Sequence, residues 1–169
     1  MIWGKKSLIC TLLVATLGCR NDDKHRLQYN DFENIHGWET NEWVTRQQAY
    51  SGKYSAELRM DYTGMAYQVP IQSLGIKRKF RLSAQAWVEN KRVRKPRIEI
   101  QLWRGQYVEN VWRLHIGEIV KRYGQWVAIT KLVELPNDVQ PTDEIRFTGT
   151  FDNNEGRVFI DDFTLEDAE

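Results

Sequence analysis

The sequence predicts an all-β fold, a sandwich or barrel of about ten short antiparallel strands. Three observations carry that expectation. Apolar and polar residues alternate along most of the chain, the period of a half-buried strand. Turn-forming residues recur between the alternating runs. From residue 27 onward no run shows a convincing helical period. The clearest alternation lies in Arg81–Trp103. Leu82, Ala84, Ala86 and Val88 fall on one face, against Ser83, Gln85 and Trp87 on the other. Ile98, Ile100 and Leu102 likewise oppose Glu99, Gln101 and Trp103. Both runs read as long strands joined by a basic turn, each with an apolar core face.

In chain order the expected strands are Leu27–Glu33, Trp43–Arg46, Tyr54–Met60, Met65–Val69, Phe80–Glu89, Arg97–Arg104, Val108–Ile116, Gln125–Leu135, Glu144–Asp152 and Arg157–Leu165. Gly37, Ser51-Gly52, Thr63-Gly64 and Gly75 separate the early strands. Pro96, Gly105 and Gly124 separate the middle ones. Pro136-Asn137-Asp138, Pro141 and Asn153-Asn154-Glu155-Gly156 separate the last. Strands of this length and spacing are those of a sandwich or barrel. Gly117–Tyr123 is the one place where a single helical turn is expected. There is no internal repeat and no low-complexity segment.

A chain of 169 residues suits one domain plus a targeting segment. Hydrophobic content of 41% and charged content of 28% are those of a folded soluble domain. The seven tryptophans are many, and tryptophan serves both cores and recognition surfaces. A net charge of +1 supplies no field to draw nucleic acid, so nucleic acid is not an expected partner.

Residues 1–18 read as a signal peptide. Lys5-Lys6 form its basic start, and Leu8–Leu17 form an apolar run too short for a bilayer, which needs ~20 residues. Thr16-Leu17-Gly18-Cys19 resembles a bacterial lipobox, departing from it at Thr16, where the pattern has Leu. The resemblance implies cleavage before Cys19, its lipidation, and anchoring at the cell outer membrane. Cys10 leaves with the signal, so the folded domain keeps no disulfide. The mature chain has 22 basic and 23 acidic residues, a net of −1. Residues 19–26 form a polar tether. Its Asp22-Asp23 pair resembles the surface-export signal of Bacteroidetes lipoproteins, with a plain hydrophilic linker as the alternative. The folded domain is expected over residues 27–167.

The face opposite the apolar residues marks the candidate binding surface. Trp112 alternates with Leu114 and Ile116 and is assigned to the core, which leaves Arg113 and His115 on the polar face. Arg146 and Thr148 oppose Ile145 and Phe147. The candidate ligand-binding residues are therefore Gln85, Trp87, Glu99, Gln101, Trp103, Arg113, His115 and Arg146. With the strands of Trp87 and Trp103 adjacent, these residues would form one patch. Indole rings stack on the C–H face of a pyranose; amides, carboxylates and guanidinium groups meet its hydroxyls. The implied partner is a polysaccharide or glycan, bound without cleavage. The bland alternative is side chains packing among themselves under a loop. Basic clusters at Lys77-Arg78-Lys79 and Lys91–Lys95, both expected at one end of the central strands, read as solubility and edge protection, with contact to an anionic polysaccharide or lipopolysaccharide as the alternative.

Four segments resemble the jelly-roll carbohydrate-binding modules found beside bacterial xylanases and glucanases. Asp31-Phe32-Glu33 with Gly37-Trp38 resembles their opening. Ala49-Tyr50-Ser51-Gly52-Lys53-Tyr54-Ser55-Ala56 is similar to their second signature. Tyr123-Gly124-Gln125-Trp126 resembles the entry of the strand carrying a core tryptophan, and Val158–Leu165 the closing strand. The segments stand in family order across nearly the whole mature domain. The resemblance implies a galactose-binding-domain-like jelly roll, with Trp38 and Trp126 in the core and the first and last strands side by side. It also implies a structural calcium ion (Ca2+), held by Glu33 and Asp161 side chains and by carbonyls of the Ser51-Gly52-Lys53 turn. Phe159, Asp161, Phe163 and Leu165 are expected on one core face, with Asp162 pointing outward. The alternative for Asp161 is a cap accepting backbone N–H groups, with no metal.

Catalysis is not expected. A retaining glycosidase needs two carboxylates ~5–5.5 Å apart, and only Glu99 falls on the proposed face. Ser55-Ala56-Glu57-Leu58-Arg59 resembles part of an alginate-lyase motif but lacks its first Arg and Thr, and Leu114-His115-Ile116 stands where Gln-Ile-His is required. His25, His36 and His115 make no metal-hydrolase cluster. The competing function is a protein-interaction lipoprotein, an adaptor or adhesin docking an outer-membrane protein through an exposed apolar patch.

Overall fold

The computed structural model describes residues 26–34, 43–60, 67–75, 78–153 and 155–168. The signal segment, Cys19, most of the tether, His25, His36, Gly37-Trp38, Thr63-Gly64 and Lys77 lie outside the described residues. Ten strands follow one another: β1 (Arg26–Asn30), β2 (Val44–Thr45), β3 (Ser55–Glu57), β4 (Tyr67–Pro70), β5 (Lys79–Val88), β6 (Arg97–Arg104), β7 (Tyr107–His115), β8 (Trp126–Glu134), β9 (Glu144–Thr150) and β10 (Val158–Asp167). Two single helical turns, α1 (Ile71–Leu74) and α2 (Ile116–Ile119), interrupt them. Every ladder is antiparallel. The fold is an antiparallel β-sandwich of the jelly-roll kind, and each expected strand has its counterpart. Arg26, assigned to the tether, opens β1.

The first sheet runs β2-β3-β10-β5-β8, with β1 also on β10; the second runs β4-β9-β6-β7. This order corrects one expectation. β5 and β6 are consecutive in sequence but lie in different sheets, so the basic turn between them crosses the sandwich. The two basic clusters also part company. Arg78 and Lys79 stand at the start of β5, each 3.5 Å from Glu134, while Lys91–Lys95 follow its end.

Alternation places Phe80, Leu82, Ala84, Ala86 and Val88 of β5 against Ile98, Ile100 and Leu102 of β6 across the core. Phe147 of β9 ties the layers together. Its ring meets Phe163 edge-on at 5.4 Å and Phe80 at 6.4 Å, and lies tilted at 6.0 Å from Tyr67. Such aromatic pairs contribute ~0.5–1.5 kcal/mol each beyond the area they bury. Trp112 packs against this core from β7, as its alternation predicts.

The last strand departs from simple alternation. Asp161 opposes Gln85 and Thr164 opposes Ser83, so three steps along β10 match two along β5. Asp162, at φ 48°, is the extra residue of this bulge. One added residue exchanges the two faces of a strand. Val158 and Ile160 point inward before the bulge; Phe163 and Leu165 do so after it. Phe159 and Asp161 therefore face away from the inter-sheet core, contrary to the expectation that they share a face with Phe163 and Leu165.

Candidate functional site

The outer face of the second sheet carries a continuous polar row. Central β6 turns Arg97, Glu99, Gln101 and Trp103 outward while Ile98, Ile100 and Leu102 fill the core. The register sets Arg113 of β7 and Thr148 of β9 on either side of Glu99, and Val111 and Arg146 on either side of Gln101. Glu144 opposes Trp103, and His115 opposes Arg97. Of the expected ligand residues, Glu99, Gln101, Trp103, Arg113, His115 and Arg146 thus share one surface. Arg97 and Glu144 belong to it as well and were missed. The available signal was phase: Arg97 alternates with Glu99, and Glu144 with Arg146.

Each member of the row holds the next. Trp103 Nε1 donates to Gln101 Oε1 at 2.9 Å, and Gln101 Nε2 donates to Glu99 Oε2 at 3.4 Å. Arg97 Nε and Arg113 Nε both donate to Glu99 Oε1, at 3.1 and 3.0 Å. Arg97 Nη1 then reaches Asp152 Oδ1 at 2.7 Å. The Arg146 guanidinium lies 4.1 Å from the Trp103 ring centroid, steadied by Glu144 Oε2 at 2.8 Å. Glu99 is only 5% exposed. Burial alone would push its carboxyl up, but the hydrogen bonds and charges of Arg113 and Arg97 win and hold it below its usual range. A general acid needs the opposite shift, so Glu99 is built to accept hydrogen bonds rather than to give up a proton.

Gln85 and Trp87 do not join this surface. They lie on the outer face of the first sheet, where the Trp87 ring meets Phe159 edge-on at 5.4 Å. Phe159 is 1% exposed despite facing away from the inter-sheet core. The chain around residues 43–54 lies against this face. Tyr50 and Ser51 N–H groups donate to Asp161 Oδ2 at 2.7 and 3.2 Å, and Arg157 Nη1 donates to Gln47 Oε1. Trp126, assigned to the core, is instead opposite Trp87 on this outer face, half-buried, with Tyr50 edge-on at 5.9 Å. Trp43 is buried beneath Arg59, whose guanidinium is 4.2 Å from its ring.

Of the residues assigned to calcium, both carboxylates meet the same turn, through its N–H groups. β1 pairs with β10, and Glu33 and Asp161 both grip the turn at residues 50–54. Glu33 Oε1 accepts from Lys53 N–H at 2.5 Å and Tyr54 N–H at 2.7 Å. Gly52, at φ 56°, lies so close that a Cβ there would strike the Glu33 carboxylate. Asp161 Oδ1 accepts from Asp162 N–H at 2.8 Å. Asp162 does not point freely outward: it accepts from Ser51 Oγ at 2.7 Å and Tyr29 Oη at 3.0 Å. Burial pushes Asp161 up to about 6 against the pull of the Tyr50, Asp162 and Ser51 amides, with the Asp162 charge adding to the rise. Among the described residues no basic side chain is paired with Asp161 or Asp162. Asp161 thus accepts backbone N–H groups in the manner of the cap alternative, and among the described residues no group of three or more His, Cys, Asp or Glu side chains is placed to hold a metal ion.

No protein family model matches this sequence, and no curated protein does. Solved structures of the same fold are found. The C-terminal family 22 carbohydrate binding module of Clostridium thermocellum Xyn10B superposes with a TM-score of 0.57 at 15% identity, over 87% of this chain and 97% of that one. A xylan-binding domain of carbohydrate-binding family 22 gives 0.57 at 15% identity, over 86% and 97%. The tandem CBM22-1–CBM22-2 of Paenibacillus barcinonensis Xyn10C gives 0.61 at 15% identity, over 90% of this chain and 52% of that one. The chain shares its fold with carbohydrate-binding modules.

Proposed function

We propose that the outer face of the second sheet binds a polysaccharide without cleaving it. The observation that carries this reading is the row Trp103–Gln101–Glu99–Arg97, an indole, an amide, a carboxylate and a guanidinium linked side by side on an uninterrupted strand. Six residue steps span roughly 20 Å, long enough for several sugar rings. The row is pre-ordered, so binding loses little side-chain freedom. Each sugar hydroxyl exchanges water for a protein partner and nets only ~0.5–1.5 kcal/mol. The half-buried indole therefore supplies much of the affinity. The fold shared with xylan-binding modules supports the reading. The test is calorimetric titration of the full chain with a panel of xylans, glucans and galactans. Trp103→Ala should weaken binding at least about tenfold; undiminished binding would move the site elsewhere.

A protein partner is the second reading, and one observation favours it. Tyr107 is 77% exposed, and Val108 and Val111 are exposed beside it on edge strand β7. Tyr107→Ser with Val111→Ser should then abolish capture of an outer-membrane protein while sparing polysaccharide binding. The envelope setting rests on Leu17-Gly18-Cys19: lipidation would place the domain at the cell outer membrane. Fatty-acid analogue labelling checks it, and label retained in Cys19→Ser would refute it. A calcium ion would be held by Glu33 and Asp161 with carbonyls of Ser51 and Lys53, cross-linking β1, the 50–54 turn and β10; its charge would offset the buried acids.

A further inference from the structure

We infer that the glycan is acidic, and that a cavity at one end of the sandwich seats a sugar bearing a negative charge, either a carboxylate or a sulfate ester. This rests on the reading of the second sheet as the glycan surface. A cavity of about 310 Å³ opens between the β5–β6 turn and α2. Val93 and Val120, both buried, floor it, and Lys91, Lys95, His115 and the exposed ring of Tyr123 rim it. The volume is at the low end for small-molecule sites and suits one ring rather than an oligomer. His115 is the last residue of β7 and stands opposite Arg97, where the polar row ends. A chain lying along Trp103 to Arg97 would thus deliver its next sugar to this cavity.

The basic turn is held in place. Arg94 N–H donates to Asn153 Oδ1, Asn153 Nδ2 to the Arg92 carbonyl, and Asp152 N–H to the Arg94 carbonyl, each at 2.8 Å. Asn90 Oδ1 accepts from Arg92 N–H at 2.8 Å. The next loop comes so near that a Cβ on Gly156 would stand 2.7 Å from Asn90 Nδ2 and 2.8 Å from Val93 Cγ2. Lys95 holds a left-handed backbone at φ 47°, which a non-glycine residue keeps only where its surroundings impose it. A turn serving solubility alone needs none of this fixing.

The charges are also available. Among the described residues, the Lys91 side chain on the cavity rim has no ion-pair partner. Lys95 pairs with Asp152 at 3.3 Å but remains 71% exposed, a pair that an incoming anion can replace. Among the described residues Glu118 is the one carboxylate in the cavity wall, and it can accept sugar hydroxyls.

The test titrates the full chain with an oligogalacturonate and its methyl ester, and with dextran before and after sulfation. The charged member of at least one pair should bind about tenfold more tightly than its neutral partner, and which pair does so separates carboxylate from sulfate. Lys91→Ala with Lys95→Ala should bring that ratio to within about twofold. Lys91→Glu with Lys95→Glu, checked for an unchanged melt, should invert it. A wild type without preference, or a ratio that survives both double variants, overturns the inference. Neutral binding that depends on Trp103 would then leave the sheet-face reading standing; no binding by any polymer would remove both.

Discussion

The outer faces of the two sheets begin from nearly the same sequence. Ser83-Gln85-Trp87 on β5 and Glu99-Gln101-Trp103 on β6 each offer polar side chains followed by an indole. Their fates differ because of what lies over them. The first sheet is covered near residues 43–54, so Trp87 and Phe159 form a second small core. The second sheet keeps a polar row whose members are hydrogen-bonded to one another. Local pattern sets which way a side chain points. Chain that is distant in sequence decides whether that direction meets water.

Variants that separate the two faces test this contrast. Phe159→Ala should have the largest effect, lowering stability by about 3–5 kcal/mol in urea melts, as for a buried aromatic, with polysaccharide affinity unchanged. A loss below ~1 kcal/mol would mean that the first face is not a core. Calcium, if bound by Glu33 and Asp161, acts on the covered face alone. Free ion at a hundred times its dissociation constant should add about 2.7 kcal/mol, reversed by chelator, without altering affinity for glycan. A melt indifferent to both would leave the amide cap as the whole account of Asp161.

The tryptophans give the sharpest pairing. Trp87→Ala should cost about 2 kcal/mol, below the range for a fully buried ring because it is half-exposed, and should spare binding. Trp103→Ala should cost about 1 kcal/mol, the worth of its contact with Arg146, and abolish most binding. The reverse outcome would exchange the roles of the two faces.

The smallest effect concerns acid. Glu99 has a folded-state pKa below its unfolded value, so its ionised form favours the fold. That stability is present above the unfolded carboxylate range near ~4.3 and is lost as pH falls through the lower folded value. Asp143 behaves alike: burial raises its pKa, but the bidentate Arg104 pair and the Gln140 N–H lower it further. Glu99→Gln should flatten the acid side of the melting curve below the unfolded carboxylate range, leaving the part due to Asp143. An unchanged slope would mean that the Arg97–Glu99–Arg113 cluster adds nothing.

Strand order along the chain was legible because alternation and turn residues are local. So was much of the site: Glu99, Gln101 and Trp103 share a strand, and Arg113 and Arg146 show the same phase on theirs. The place of Trp87 was not legible, since no local feature reveals that β5 pairs with β8 and β10 while β6 pairs with β7 and β9. Nor was the bulge at Asp162. Asp161-Asp162 breaks the apolar run, but only pairing with Gln85 and Ser83 shows that one residue is surplus. Trp126 was placed in the core by resemblance, where the register puts it beside Trp87 instead.

β10 is the centre of the first sheet, bonded to β1, β3 and β5, and it is the last of the described strands to be synthesised. Until residue 167 has left the ribosome, β1 has no partner in this sheet, and β3 and β5 each lack one of their two neighbours. A nascent chain therefore cannot complete this sheet stepwise. Completion waits for contacts across more than a hundred residues, a topology that folds slowly and all at once. The first sheet therefore stays open until β10 is made, and it closes in one step.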